Sequence, residues 1–259
     1  MDEIERFEAE VAANIAGLRE DRDVQALSRI WVREIARHRY AYNFKWMGRP
    51  LIQFPQDMAA VQELIWEVRP DLVIETGIAH GGSLIMNASL LALLDYCDAV
   101  ESGGVLDPRQ PRRRVLGIDI DIRSHNRRAI EAHPMASRIE LLQGSSIDPG
   151  IVAKARSFAD NHSRVMVLLD SNHTHDHVLE ELRAYAPLVS TGSYCVVFDT
   201  LIEDMPADLV VDRPWSVGNN PKTAVRAFLA ENNDFEVDTR IESKLLITVA
   251  PGGYLRRRA

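Results

Sequence analysis

Asp71-Leu72-Val73-Ile74-Glu75-Thr76-Gly77-Ile78-Ala79-His80-Gly81-Gly82-Ser83 decides how this chain folds. Residues 71–75 are a short apolar run closed by a carboxylate, which fits a strand buried on both faces. A glycine-rich turn follows, and then an apolar helix is expected over 83–94. Gly77 permits a sharp turn and a close approach to a ligand, while Gly81 and Gly82 allow tight packing where the helix begins. A helix start also offers free amides. The turn is not a P-loop, because no Lys-Ser/Thr pair follows the glycines, and its spacing is not G-x-G-x-x-G.

The same alternation runs outward from this turn. Strands are expected at 114–119, 139–143, 165–170 and 194–199, with helices at 123–133, 151–161, 175–186 and 222–231 between and after them. Strands separated by helices imply βαβ units, a mostly parallel sheet and helices on both faces, so the fold class is α/β and Rossmann-like. Residues 235–239 and 245–249 read as a terminal antiparallel hairpin. Residues 98–113, polar and containing Gly103, Gly104, Pro108 and Pro111, read as a surface loop. Before the first strand, residues 1–40 read as two helices with Ile4, Phe7, Val11 and Ile15 at helical spacing. Residues 40–55 read as an irregular aromatic segment, and 56–68 as a helix. The whole chain, 1–259, reads as a single domain. Residues 1–55 form its helical, site-covering extension and 56–259 its core.

The 259 residues are 46% hydrophobic and 26% charged, with a net charge of −8. An acidic balance disfavours a nucleic-acid partner. The acidic N-terminus lacks the features of a leader, and no apolar run is read as approaching the ~18 residues of a membrane span, so a cytoplasmic location is expected. Cys97 and Cys195 lack metal-ligand spacing and read as free thiols.

Four expected strands end in an acidic residue: Glu75, Asp119, Asp170 and Asp199. In open parallel sheets, ligands bind beyond these ends. Simple strand termination by polar residues is the alternative reading. An acidic residue opening a G-x-x-x-G-G turn resembles motif I of S-adenosylmethionine (SAM) methyltransferases. Asp119 is placed to accept hydrogen bonds from two ribose hydroxyls. Ser145 and Ser146 lie where an adenine would be met. His173, three residues after Asp170, is a candidate general base, since imidazole titrates near neutral pH. His175 and His177 complete an alternating set, but a helix starting near His175 would turn them apart, against a zinc site. Gln53, Asp57 and Tyr42-Asn43 are candidates to fold over a ligand. The irregular stretch 201–218, with Pro206, Pro214 and Trp215, is a candidate cover for an acceptor.

Tyr42-Asn43-Phe44, Gly48-Arg49-Pro50, Pro55-Gln56-Asp57, Ile74-Glu75-Thr76-Gly77, Gly81-Gly82-Ser83, Gly117-Ile118-Asp119-Ile120-Asp121, Leu169-Asp170-Ser171-Asn172-His173 and the block from Lys244 to Tyr254 together resemble the cephalosporin hydroxylase/rhamnosyl O-methyltransferase family. The resemblance spans about Arg39 to Tyr254. It implies SAM held by Glu75, Thr76, Gly77, Gly81, Ser83, Asp119, Ser145, Ser146 and Asp170, and Mg²⁺ held by Asp170, Asp199 and Thr200. It further implies methyl transfer to a sugar hydroxyl of a natural product or glycolipid, and a homo-oligomer. Some family members carry a Glu-Asp pair where this chain has Phe198-Asp199, so that either one ligand is missing or Glu203 or Asp204 supplies it. An NAD-dependent oxidoreductase, and a non-catalytic SAM-binding partner in an antibiotic hydroxylation complex, are the alternative functions.

Overall fold

A computed structural model describes residues 2–206, 208 and 212–258. Residues 207 and 209–211, part of the expected acceptor cover, lie outside the described residues. Two helices open the chain, α1 (Glu3–Glu20) and α2 (Arg22–Ala36). Asp2 caps α1 in a reciprocal box with Glu5, and Asp21 caps α2 through the amides of Asp23 and Val24. The aromatic segment is more regular than its sequence suggests. It forms a hairpin of β1 (Phe44–Trp46) and β2 (Arg49–Leu51) around a Met47-Gly48 turn. Both turn residues have positive φ, as tight hairpins require.

The core follows as α3 (Pro55–Val68), β3 (Leu72–Thr76), α4 (Gly82–Ser102), β4 (Arg114–Asp119), α5 (Ser124–Glu131), β5 (Ile139–Gln143), α6 (Pro149–Ala159), β6 (Val165–Leu169), α7 (His175–Tyr185), β7 (Tyr194–Val197), α8 (Pro221–Glu231), β8 (Phe235–Val237), α9 (Thr239–Leu245) and β9 (Tyr254–Arg257). The sheet order is β5-β4-β3-β6-β7-β9-β8, with β3 to β7 parallel and β9 antiparallel to both neighbours. Strand residues alternate between two cores. Val73, Met166 and Leu168 pack with α3, α4 and α9, whereas Ile74, Val167 and Leu169 pack with α6, α7 and α8. The strand order reverses between β3 and its neighbours, which opens a crevice above the ends of β3 and β6.

Three expectations are corrected. The terminal hairpin pairs β8 with Tyr254–Arg257, not with 245–249. Residues 239–245 form a helix because Asp238 caps it at the Arg240 amide. Helix α4 runs on to Ser102, taking in the start of the expected loop: Asp98 pairs with Arg69 and Arg113, and Gly103 ends the helix in a left-handed cap. Among the described residues, α4 is also long and apolar enough to cross a membrane by length and composition, with mean hydropathy 1.3. Half of that stretch is buried within the protein, as befits a core helix.

Candidate active site

Gly77 has φ +88°, and a Cβ there would overlap the main-chain carbonyl of Asp170. The turns after β3 and β6 are thus in backbone contact. Gly82 makes the same concession on the other side: a Cβ would strike the carbonyl of Pro50, so the β1-β2 hairpin sits directly on the start of α4. Arg49 reinforces that junction, donating to the His80 carbonyl and to Asn126 Oδ1, while Asn126 donates to the Ala79 carbonyl.

A cavity of ≈ 290 Å³ lies within this frame. It brings together Glu75, Gly77, Ser83, Asp170, His173 and Asp199, with Tyr42, Gln53 and Phe198 also on its walls. Glu75 is 2% exposed, and its two oxygens accept from Ser83 Oγ and from Asn87 Nδ2 at 2.8 Å. Burial pushes its carboxyl up to about 7, against the lowering effect of those two donors. Asn87 is a site residue that the sequence reading missed. Its signal was its spacing, since position 87 lies one helical turn after Ser83 on α4.

Asp119 anchors the opposite side of the turn. Oδ2 accepts from the amides of Ile78 and Ala79 at 2.8 and 3.3 Å, and Oδ1 from that of Asp121 at 2.9 Å. A carboxylate has about four lone-pair positions, so capacity remains for a ligand's hydroxyls.

Asp170, His173 and Asp199 form the second half of the site. One ligand atom from each lies within 4.8 Å of the others, the one such group found among the described residues. His173 Nε2 is 3.1 Å from Asp199 Oδ2. Asp199 holds a left-handed backbone at φ +56°, which aims its carboxylate at His173. The Asp170 carboxyl is pushed well above the usual range by burial and then by the charges of Asp199, Glu75, Glu181 and Asp57. This crowding of carboxylates suits a divalent cation, which would relieve it. Two carboxylates are hard ligands of the kind Mg²⁺ takes.

Several expected residues fall outside this cavity. The Thr76 side chain is fully buried, and Gly81 packs on Ile130. Ser146 Oγ turns inward to His177 Nε2 at 3.0 Å, and the carbonyl of Ser145 accepts from the Asp148 amide. Thr200 is buried, its hydroxyl donating to the Pro251 carbonyl at 3.0 Å. Glu203 accepts from the Gly218 amide and Asn220, and Asp204 pairs with Lys222, so neither joins the acidic cluster. Asp57 is buried and clasps Thr248, Val249 and Tyr254, and does not cover a ligand. The alternating histidines do diverge: His175 meets Thr223, and His177 meets Ser146.

The profile of the rhamnosyl O-methyltransferase/CmcI family matches residues 38–258. The chain belongs to this family. Family relatives include the rhamnosyl O-methyltransferase of Mycobacterium tuberculosis (strain ATCC 25618 / H37Rv). That protein is 30% identical over 231 residues, covering 85% of this chain and 83% of the relative. The rhamnosyl O-methyltransferase of Mycobacterium leprae (strain TN) is 30% identical over 217 residues, 82% of each chain. The fold is shared with CmcI solved with Mg and SAM, at TM-score 0.55, 19% identity and coverage of 84% of this chain and 78% of that one. CmcI solved with SAH gives TM-score 0.56, 20% identity and 83% coverage of each. Family membership, together with the glycine spacing, removes the NAD-dependent reading.

Proposed function

We propose that this chain is a SAM-dependent, Mg²⁺-assisted O-methyltransferase acting on a sugar hydroxyl of a small glycoside. The observation that carries the proposal is the meeting, in one cavity, of the Glu75-Gly77 turn with the Asp170-His173-Asp199 group. Glu75 and the start of α4 would bind the amino-acid end of SAM, and Asp119 its ribose. The extension 1–55, through Tyr42 and Gln53, would cover the cofactor. Asp170 and Asp199 would hold the cation, which when bound lowers the pKa of a nearby acceptor hydroxyl. The activity for which the relatives are named supports a rhamnosyl or similar acceptor. A cytoplasmic homo-oligomer belongs to the same reading.

His173 would act as the base. Its Nε2 lies 3.1 Å from Asp199 Oδ2, so the Asp199 charge would stabilise the imidazolium that forms when the ring takes the hydroxyl proton. Trp215 stands edge-on to His173, ring centroids 4.6 Å apart, on the acceptor side of the site. It is our candidate platform for the sugar ring, whose apolar face suits an indole. Methyl transfer is an in-line displacement, so holding donor and acceptor in line provides most of the rate.

Calorimetry with SAM, followed by mass analysis of rhamnosides incubated with protein, SAM and Mg²⁺, tests the reading. Binding of SAM and a gain of one methyl group are expected. Absence of SAM binding would sink it, while full activity after chelation would remove only the cation. His173→Ala should abolish transfer yet keep Mg²⁺ affinity. Loss of that affinity would make His173 a ligand rather than the base.

A further inference from the structure

The cofactor cavity does not end at the acidic cluster. It shares Tyr42, His173 and Asp199 with an opening of ≈ 270 Å³ beside Trp215. That opening in turn shares Leu201 and Met205 with a third, open space of ≈ 570 Å³ lined by residues of α1, α2, α8 and α9. The three therefore adjoin one another, and the third is the largest of them.

The charges on its wall are unequal in kind. Both carboxylates there are already engaged: Asp204 Oδ2 accepts from Lys222 Nζ at 2.5 Å, and Glu242 Oε2 from the Gly252 amide at 2.6 Å. Arg19, in the last turn of α1, and Arg29, in α2, line the same space, and neither guanidinium has a protein partner among the described residues. Two solvent-exposed guanidiniums with no partner among the described residues share one cavity of a chain whose net charge is −8. Their planar donor forks match phosphate and carboxylate oxygens.

We infer that this cavity is the distal part of the acceptor site and that Arg19 and Arg29 bind an anionic group of the acceptor, a phosphate or a carboxylate, remote from the methylated sugar. The assignment rests on the methyl-transfer reading above. It makes the acceptor an anionic glycoside whose sugar lies between His173 and Trp215 and whose tail crosses Leu201 and Met205.

Two measurements test it separately from that reading. In the first, hexyl phosphate, hexanoate and hexanol are titrated calorimetrically into the SAH-loaded protein. The two anions should bind at least about tenfold more tightly than the alcohol, the scale of two exposed ion pairs, and salt should weaken that difference. Arg19→Ala/Arg29→Ala should erase the preference with SAM affinity unchanged, and Arg19→Lys/Arg29→Lys should restore part of it. Equal binding of all three probes, or a preference that survives in the alanine variant, would overturn the anion site. The relative strength of phosphate and carboxylate binding identifies which group the acceptor carries. In the second, rhamnosides bearing a neutral or a phosphorylated alkyl tail are compared as acceptors. A lower KM for the phosphorylated one is expected, and lost in the alanine variant. Tight anion binding without methylation of either rhamnoside would instead overturn the methyl-transfer reading.

Discussion

Glu75→Gln should make the cofactor-free protein gain stability relative to the wild type as the pH rises from 5 to 8. The Glu75 carboxyl is raised from an ordinary 4.5 to about 7 because it is buried. An acid raised in the folded state binds more protons folded than unfolded between those two values, so its contribution to stability is full below 4.5 and is lost as pH rises through 7. At about 1.4 kcal/mol per pKa unit, ionising Glu75 costs the fold roughly 3 kcal/mol by pH 8. Glutamine removes that cost, although Asn87 Nδ2 then loses the carboxylate oxygen to which it donates, a loss that does not vary with pH. The glutamine still accepts from Ser83, and its amide can donate to Asn87 Oδ1, a buried oxygen that has no partner at present. Urea unfolding of both proteins from pH 5 to pH 8, in chelator, measures the difference directly. It should grow by about 3 kcal/mol, or a Tm gap of roughly 6–12 °C for a chain of this size. A stability difference that stays flat across the range would show that Glu75 is ionised throughout and the burial argument wrong. The same substitution should weaken SAM binding, because the carboxylate's charge no longer faces the ammonium of the ligand.

Asp170→Asn should reduce Mg²⁺ affinity about 100-fold or more, by calorimetric titration; unchanged affinity would place the cation elsewhere. Trp215→Ala should raise the KM for a rhamnoside about tenfold and leave the SAM Kd alone, with Trp215→Phe intermediate; equal KM values would dismiss the sugar platform. Gly77→Ala should lower stability by about 3 kcal/mol or more, because both its positive φ and its contact with the Asp170 carbonyl oppose a side chain. Wild-type unfolding curves for that variant would contradict the close approach.

The inner strands of the parallel core were legible because they are largely apolar runs bounded by turn residues; β5, at the sheet edge, is only half-buried and carries Glu140 within its run. Their terminal carboxylates were legible for the same reason: once a strand's end is known, so is the side of the sheet on which its last residue lies. Secondary structure that depends on partners distant in sequence was less clear. The β1-β2 hairpin looked irregular because Pro50 and Gly48 mask its pairing, and β9 was misplaced because 245–249 is as apolar as a strand. Among site residues, Asn87 was lost within an apolar helix whose burial looked sufficient in itself. Ser146 and Thr200 sat at the right strand ends, but their side-chain torsions carry them into the protein, and torsions have no sequence signature. Nothing in composition marks Arg19 and Arg29 as facing one cavity, since that depends on how α1 and α2 pack against the C-terminal part of the chain.

The overlap that a Cβ at Gly77 would create with the Asp170 carbonyl has a mechanical consequence. The turn that would lie beneath the methyl donor, and the loop that would carry the group activating the acceptor in the proposed reaction, bear on each other through main chain. Neither can be displaced by tenths of an ångström without carrying the other along. In the proposed methyl transfer, the span between donor carbon and attacking oxygen would thereby be gauged by the polypeptide itself. Side chains around the acceptor are then free to diverge toward new glycosides with the reacting atoms held at the same separation.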